Sequence, residues 1–244
     1  MSGHKPKLPR GARIATCAIA AALGSVVCTG ALAAPVTFFG QDSMGAEPQN
    51  SLDAEQAFRA AISELGWQTG TQSFDSIPVD AYDSLSFAFP PLPGSVSATG
   101  SAKSANSNVL EISIADVPGE GRYPISGAQW LDLPTNAAFD FSAPVPAVGF
   151  YLVDPGDFGN GQLTLVADGE NFQIPHDVGL DGLRVFYGVI FEQPVSRLLL
   201  ATSASGTDYI GIDDATVAYV PVPPAIGLLG SALVAFLRRK RQRP

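Results

Sequence analysis

Between residues 34 and 220 the chain consists of short runs of alternating apolar and polar residues, separated by turn-forming residues. Leu110, Ile112 and Ile114, for example, alternate with polar neighbours, which is typical of a strand with one solvent-facing side. Other strands are predicted around residues 139–141, 148–153, 162–166, 171–174, 185–191, 195–201 and 209–220. About ten short strands at this spacing favour a mainly β fold, an antiparallel β-sandwich of the jelly-roll type.

Two turns are predicted between these strands. Asp168-Gly169 is a strong hairpin signal, because these residue types suit the positive φ angles of a two-residue turn. Glu192-Gln193-Pro194 predicts a second turn, between two strands that are apolar on both faces.

One short helix is predicted before the strands, over residues 51–65. Ser51 is a suitable N-cap residue, and Gly66 ends the helix. Asp53 and Glu55 lie near the positive end of the helix dipole. The predicted apolar face consists of Leu52, Phe58, Ile62 and Leu65.

The N-terminal segment, residues 1–33, has the three parts of a secretory signal peptide. Basic residues precede an apolar helix at residues 14–27, and Ala31-Leu32-Ala33 forms a small-x-small cleavage site just before Ala34. The alternative is an uncleaved N-terminal anchor. Both cysteines of the chain, Cys17 and Cys28, lie in this segment, so the exported part is predicted to fold without disulfides.

The C-terminal segment, residues 221–244, also predicts a membrane-addressing signal. A proline-rich start is followed by an apolar run at residues 225–237 and then by a basic tail. As a helix, the run from Pro221 to Leu237 would be about 25 Å long, slightly shorter than a hydrocarbon core of about 30 Å. Arginine snorkelling or local thinning of the bilayer can close this gap. The basic tail is expected to stay on the cytoplasmic side. The residues assigned to this signal are Val220, Pro221, Val222, Pro223, Pro224, Arg238, Arg239, Lys240 and Arg241.

The exported part, residues 34–220, is strongly acidic. It contains all 23 Asp and Glu residues of the chain and only five Lys or Arg residues, which gives a net charge of −18. Such a domain repels phosphate backbones, so nucleic acid is excluded as a partner. The acids serve either solubility outside the cell or the binding of a divalent cation.

The C-terminal segment resembles the PEP-CTERM sorting signals of Gram-negative bacteria, in its VPxP-type form. Val222 stands where the commonest version has Glu. The body resembles exported domains found before such signals. The matching segments are the helix AFRAAISELG, Ser73-Phe74-Asp75, and residues 148–154, 188–191 and 211–217. The resemblance implies export across the inner membrane, processing by signal peptidase and an exosortase-like enzyme, and residence at the cell surface or in the extracellular matrix, often with exopolysaccharide. Most proteins with such domains have no assigned biochemical activity, so the resemblance does not indicate one here.

One calcium site is predicted from a separate resemblance, of the predicted jelly-roll fold to carbohydrate-binding modules. In such modules an acidic residue of the first strand and one of the last commonly bind a structural Ca²⁺, and here these are Asp75, Asp213 and Asp214. Calcium prefers six to eight oxygen ligands, which this chain has in surplus. The alternative is that these carboxylates cap backbone groups or are solvated.

Other chemistry-bearing residues give no catalytic site. The loop at residues 154–161 lacks the spacing of an EF-hand and predicts a tight turn. His176 is the only histidine of the exported part and cannot build a usual zinc site alone. Aromatic residues that could stack on sugars, if they are exposed, are Trp67, Tyr123, Trp130, Tyr151 and Tyr187.

The sequence therefore predicts a non-catalytic, exported protein of the cell surface or extracellular matrix that contacts polysaccharide. Two alternatives stay open. One is a carbohydrate-active hydrolase that uses two carboxylates. The other is an envelope protein whose C-terminal segment is never cleaved and anchors it permanently.

Overall fold

A computed structural model describes residues 34–91, 96–99, 110–114, 121–156, 161–203 and 209–221. This part of the chain is mainly β, with one helix and exclusively antiparallel strand pairs. The elements are β1 Val36–Asp42, α1 Gln49–Glu64, β2 Gln68–Gln72, β3 Ala81–Tyr82, β4 Ser84–Phe87, β5 Val96–Thr99, β6 Leu110–Ile114, β7 Gln129–Pro134, β8 Ala137–Val153, β9 Leu163–Ala167, β10 Glu170–Gln173, β11 Arg184–Thr202 and β12 Tyr209–Tyr219. Among the described residues, no helix is long and apolar enough to span a membrane.

The strands form one continuous sheet that bends along its two longest strands, β8 and β11. Residues 184–190 of β11 pair with β1 and with residues 147–153 of β8. Beyond a register shift, residues 198–202 of β11 pair with β9, and the start of β8 pairs with β11 and β5. The two halves of the bent sheet face each other and form a β-sandwich.

The predicted turn at Glu192-Gln193-Pro194 is wrong. Both halves of β11 pair with the same neighbour, β8, whereas a turn would have paired the two halves with each other. The register shift between Ile190 and Val195 absorbs the irregularity that the charged residue and the proline impose.

The main core lies between the two layers and contains side chains from both of them. In β8 the alternation places Val148, Phe150 and Leu152 in this core. Ala147 and Tyr151, on the opposite face of the same strand, pack instead against α1. The apolar run in β8 is therefore buried on both faces.

Helix α1 covers the outer face of one layer and forms a second, smaller core. Its Phe58 and Ile62 are almost fully buried against Phe186 and Ile190 of β11. Two glycines of the sheet lie directly beneath the helix. A Cβ atom on Gly149 would lie 2.6 Å from the Phe58 ring, and one on Gly188 would lie 2.8 Å from it. The close approach of helix and sheet therefore requires glycine at both positions.

The helix begins two residues earlier than predicted, and Ser51 is not its N-cap. Pro48 occupies the N-cap position and makes no side-chain capping bond. Instead, Asp42 at the end of β1 accepts hydrogen bonds from the backbone N–H groups of Asn50 at 3.0 Å and Ser51 at 2.9 Å. The cap was missed because it comes from a strand that the sequence pattern did not indicate. Gly66, with φ +70°, ends the helix as predicted.

The hairpin at Asp168-Gly169 has the expected geometry. Ala167 pairs directly with Glu170, and the two turn residues have φ angles of 45° and 95°. Two consecutive positive φ angles are the mark of a type I′ turn, which matches the twist of the strands that it joins.

Candidate functional site

Asp75, Asp213 and Asp214 lie at the same end of neighbouring strands, and we refer to them as the three-aspartate cluster. In the β2–β12 pair Ala215 lies opposite Gln72, so Asp213 and Asp214 precede the pairing and Asp75 follows it. All three carboxylates hydrogen-bond to one segment, residues 125–129, which leads into β7. The antiparallel register thus brings together acids that are far apart in the sequence.

Asp213 is fully buried and holds the beginning of this segment. Its Oδ2 accepts hydrogen bonds from the N–H groups of Ile125 at 2.7 Å and Ser126 at 3.0 Å. Its Oδ1 accepts from the N–H of Asp214 at 2.7 Å. Removal from water, only partly offset by these bonds, raises the pKa of Asp213 to about 7. The carboxyl is therefore close to half protonated at neutral pH.

Asp75 holds the other end of the same segment. Its Oδ1 accepts from the N–H groups of Ala128 at 2.8 Å and Gln129 at 3.1 Å, and its Oδ2 accepts from the Ser73 hydroxyl at 2.9 Å. The bond from Ala128 is the main cause that holds the pKa of Asp75 below its usual value. Gly127 passes so close that a Cβ atom on it would lie 2.0 Å from Asp75 Oδ2.

Asp214 completes the cluster through a side-chain bond. Its Oδ1 accepts from the Ser126 hydroxyl at 2.7 Å, and its backbone has a φ of 45°, rare for a residue with a side chain. Burial raises the pKa of Asp214 above its usual value. The cluster as a whole fixes the 125–129 segment against the end of the sheet, which is a structural task.

A calcium ion does not fit the donor set of this cluster as the structure has it. Asp75 and Asp213 direct both carboxylate oxygens at N–H and O–H donors, and these donors occupy the positions that a cation would take. In the described part of the chain no three His, Cys, Asp or Glu side chains are grouped so that they could hold a metal ion. Calcium at these residues stays a prediction from the sequence.

A second polar network, which sequence reasoning missed, lies under α1. Glu55 Oε1 forms an ion pair with Arg59 Nε at 2.7 Å, and Glu55 Oε2 accepts from the Tyr151 hydroxyl at 2.7 Å. Arg59 also donates to the hydroxyls of Thr71 and Thr216, on two neighbouring strands. The network joins the helix to the sheet. Only the i,i+4 spacing of Glu55 and Arg59 is visible in the sequence.

His176 lies in the loop between β10 and β11 and is buried there. Its Nδ1 lies 3.0 Å from the carbonyl oxygen of Ile174, and a Cβ on Gly156 would lie 2.6 Å from its Nε2. Burial lowers the pKa of His176, so the ring is neutral at physiological pH. The adjacent Asp177 bonds to the Gln41 side chain of β1, with its carboxylate accepting at 2.7 Å. The histidine thus packs beneath the turn that begins at Asp154.

Most of the aromatic residues considered for sugar stacking are part of the core. Trp130, Tyr151 and Tyr187 are each at most 2% exposed. Trp67 and Tyr123 are half-buried and keep an accessible edge. Of these candidates, Tyr123 lines a cleft.

This cleft, which we call the arginine cleft, lies beside the N-terminus of α1 and has a volume of about 380 Å³. One wall is the turn that follows β1, including Asp42, Ser43 and Met44, and the other is formed by Tyr123 and Arg184. The Arg184 guanidinium carbon lies 4.6 Å from the centre of the Tyr151 ring. The cleft could not be predicted from the sequence, because its two walls are about 80 to 140 residues apart in the chain. Pairing of β1 with β11 places Asp42 opposite Arg184.

The residues assigned to export lie mostly outside the described part of the chain. Ala31, Ala33, Val222, Pro223, Pro224, Arg238, Arg239, Lys240 and Arg241 are all outside it. Ala34 and Val220 are described and exposed, and Pro221 follows directly after Val220. The sandwich therefore begins and ends next to the two predicted signals.

No protein-family model and no curated protein matches this chain. Among solved structures, it is similar to the crystal structure of the K2 cleaved adhesin domain of Lys-gingipain, with a TM-score of 0.36 and 9% sequence identity. The similarity covers 62% of this chain and 98% of that domain. A TM-score this low does not establish a shared fold, so the architecture described above depends on the strand pairing alone.

Proposed function

We propose that this chain is a non-catalytic, exported protein of the cell surface or extracellular matrix that contacts polysaccharide. A signal peptide carries it across the inner membrane of a Gram-negative bacterium, and its C-terminal segment sorts it through a PEP-CTERM-like signal. The motif from Val220 to Pro224 and the basic tail from Arg238 to Arg241 support the sorting step.

The use of the acidic side chains supports the non-catalytic part of the proposal. A hydrolase of the two-carboxylate type needs one acid and one base that face a substrate across a gap of about 5–10 Å. Here Asp75, Asp213 and Asp214 accept hydrogen bonds from the 125–129 segment. Glu55 accepts one from Tyr151 and forms an ion pair with Arg59. Carboxylates held in this way stabilise a fold instead of performing proton transfer.

Cell fractionation with mass determination of the mature protein tests the proposal. We expect the protein in the envelope or extracellular fraction, starting at Ala34 and lacking the residues beyond the proline motif. A variant with Arg238, Arg239, Lys240 and Arg241 all changed to Gln should accumulate with its C-terminal segment intact. Changing Arg122 and Arg197 to Gln instead should leave processing unchanged.

Two other results would contradict the proposal in different ways. Full-length protein in the cytosol, with Met1 still present, would remove export itself. Membrane-bound protein with an intact C-terminus in the unmodified chain would favour the permanently anchored alternative over sorting.

A further inference from the structure

We propose that the arginine cleft binds the carboxylate group of an acidic sugar residue, a uronate, with the sugar ring lying between Met44 and Tyr123. This inference rests on the proposed contact with polysaccharide and assigns that contact to one site and one ligand class. Four observations carry it: an arginine without a carboxylate partner, an ionised aspartate that is hydrogen-bonded to a helix N-terminus, a cleft of suitable size, and the polar groups around it.

Arg184 is exceptional among the arginines of this acidic domain. Arg59, Arg122 and Arg197 each form an ion pair, with Glu55, Asp132 and Asp140 respectively. Across the described residues, Arg184 forms none, although acids outnumber cations by 23 to five between residues 34 and 220. A guanidinium left without a carboxylate in such a domain is available to one from outside.

The surroundings of Arg184 hold its guanidinium in place while leaving donor capacity. The group lies over the Tyr151 ring, and that ring is fixed by its own bond to Glu55. Arg184 Nε is shielded from solvent, and no acceptor in the described part of the chain bonds to it. A ligand cannot reach Nε, so the terminal N–H groups of this half-buried side chain are the donors that line the cleft, and a planar carboxylate can satisfy two of them at once.

Asp42 lines the same cleft but presents little uncompensated charge to a ligand. Burial alone would raise its pKa, yet hydrogen bonds from Ser51 and Asn50 hold the pKa of Asp42 below its usual value. Its two oxygens accept from the first N–H groups of α1, at the positive end of the helix dipole. The charge of Asp42 is therefore offset by the helix, while the charge of Arg184 is not offset by any carboxylate among the described residues.

The remaining features of the cleft suit a sugar ring. Its volume of about 380 Å³ is within the range of small-ligand sites, which begins at about 300 Å³. Burial raises the pKa of Tyr123, so its phenol stays protonated, and its bond to the Gly182 carbonyl is long, at 3.4 Å. This hydroxyl and that of Ser43 can bond to sugar hydroxyls, while Met44, 57% exposed, offers an apolar edge.

Residues 34–220 carry a net charge of −18, so the salt dependence of binding distinguishes a local contact in the cleft from binding through a diffuse basic surface. The domain as a whole repels a polyanion, and added salt screens this repulsion more than the short contact inside the cleft. Affinity for an acidic polysaccharide should therefore hold or increase as salt rises. Binding through a diffuse basic surface would instead weaken with salt.

Calorimetric titration of the full 244-residue chain, purified in a mild detergent, tests the site with D-galacturonate, D-galactose and acetate as probes. We expect galacturonate to bind and the other two to bind at least ten-fold more weakly. Arg184→Gln should weaken galacturonate binding at least ten-fold. Arg197→Gln, which changes the net charge equally at an exposed position, should leave it unchanged.

Since Arg184 packs on a core tyrosine, its variants need a folding control. Arg184→Lys keeps the charge without the planar fork and should lose most of the affinity, at a melting temperature close to that of the parent chain. Equal binding of galacturonate and galactose, equal effects of the two Gln variants, or no galacturonate binding at millimolar concentration would each overturn the site.

Co-sedimentation separates failure of the site from failure of the proposed function. If Arg184→Gln still sediments with polygalacturonate and neutral dextran as the parent chain does, the cleft is not the site and the polysaccharide contact stands. If neither chain sediments with any polysaccharide, the contact fails, and export and sorting are still decided by fractionation.

Discussion

Gly127 is the residue where the three-aspartate cluster tolerates a side chain least. Its φ is +62°, and a Cβ atom would lie 2.0 Å from Asp75 Oδ2. Gly127→Ala should therefore break the hydrogen bonds that the N–H groups of Ala128 and Gln129 donate to Asp75. We expect the free energy of unfolding to fall by at least about 2 kcal/mol, measured by urea denaturation.

Gly45→Ala is the matched control for this substitution. Gly45 has a similar φ of +75°, but a Cβ atom there would have nothing within 4 Å. It should show the backbone cost alone, about 1 kcal/mol. If the two alanine variants lose equal stability, the Asp75 contact contributes nothing.

Asp213 gives the stability of the protein a pH dependence of unusual sign. Its pKa is about 7 in the folded chain and near 4 when unfolded, so the folded state binds the extra proton between these values. Stability from this residue is therefore present at pH 4 and is lost as the pH rises to 7, by up to about 4 kcal/mol. Urea denaturation at several pH values measures this loss.

Asp213→Asn isolates the contribution of this carboxyl from the general repulsion of an acidic domain. The variant should lose the contribution of Asp213 to the pH dependence between pH 4 and 7 and keep that of Asp214, whose pKa is also raised. Asp80→Asn, at an exposed position, should keep the full dependence of the parent chain. A parent chain that gains stability over this range, relative to Asp213→Asn, would contradict the assignment.

The cluster also shows what single residues reveal from sequence and what they do not. Asp75, Asp213 and Asp214 could be singled out because jelly-roll modules commonly carry calcium-binding acids on their first and last strands. Their partners could not be predicted from the sequence. Ile125 and Ala128 contribute only backbone N–H groups, which nearly every residue has, and Ser126 adds a hydroxyl, which is common.

At the scale of elements, the contact between α1 and the sheet depends on two positions without side chains. Gly149→Ala would place a methyl group 2.6 Å from the Phe58 ring and push the helix outward. Overpacking of this kind costs about 1–3 kcal/mol. We expect a loss of that size in thermal or urea denaturation.

A double variant tests whether the helix is the cause. Phe58→Leu alone should destabilise the chain. The double variant with Gly149→Ala should lose less stability than the two single variants lose together, because the smaller side chain makes room for the added methyl group. Gly169→Ala, in the hairpin turn with nothing near its Cβ, should not interact with Phe58→Leu. Strict additivity in the first pair would contradict the proposed clash.

The elements themselves were predictable where one residue pattern decided them. Alternation located β6, Asp168-Gly169 fixed the β9–β10 hairpin, and Gly66 ended the helix. The continuity of β11 was not predictable, because Glu192 and Pro194 look the same in sequence at a bulge as at a turn. Strand β1 was missed because its Val36–Asp42 run follows the predicted cleavage site directly and lacks clear alternation.

At the scale of the whole molecule, divalent cations should act through screening and not through a site. The carboxylates of the three-aspartate cluster already have N–H and O–H partners, while the net charge of −18 on residues 34–220 means that any condition that reduces charge repulsion stabilises the fold. CaCl₂ and MgCl₂ at equal concentration should therefore raise the melting temperature by the same amount. NaCl at matched ionic strength serves as the reference.

A shift specific to calcium would restore the metal site predicted from the sequence. In that case Asp214→Asn should abolish the difference between calcium and magnesium, and Asp168→Asn, in the distant hairpin, should not. A chelator that lowers the melting temperature of the freshly purified chain would have the same meaning.

Strands β8 and β11 each run through both layers of the sandwich without interruption. If one layer loses its strand pairing, the two central strands of the other layer are therefore disrupted as well. The continuous strands couple the two layers without a covalent cross-link. If the chain is exported as proposed, partial opening of one layer would not leave a long-lived intermediate that extracellular proteases could cleave. The whole sandwich is expected to survive or fail as one cooperative unit.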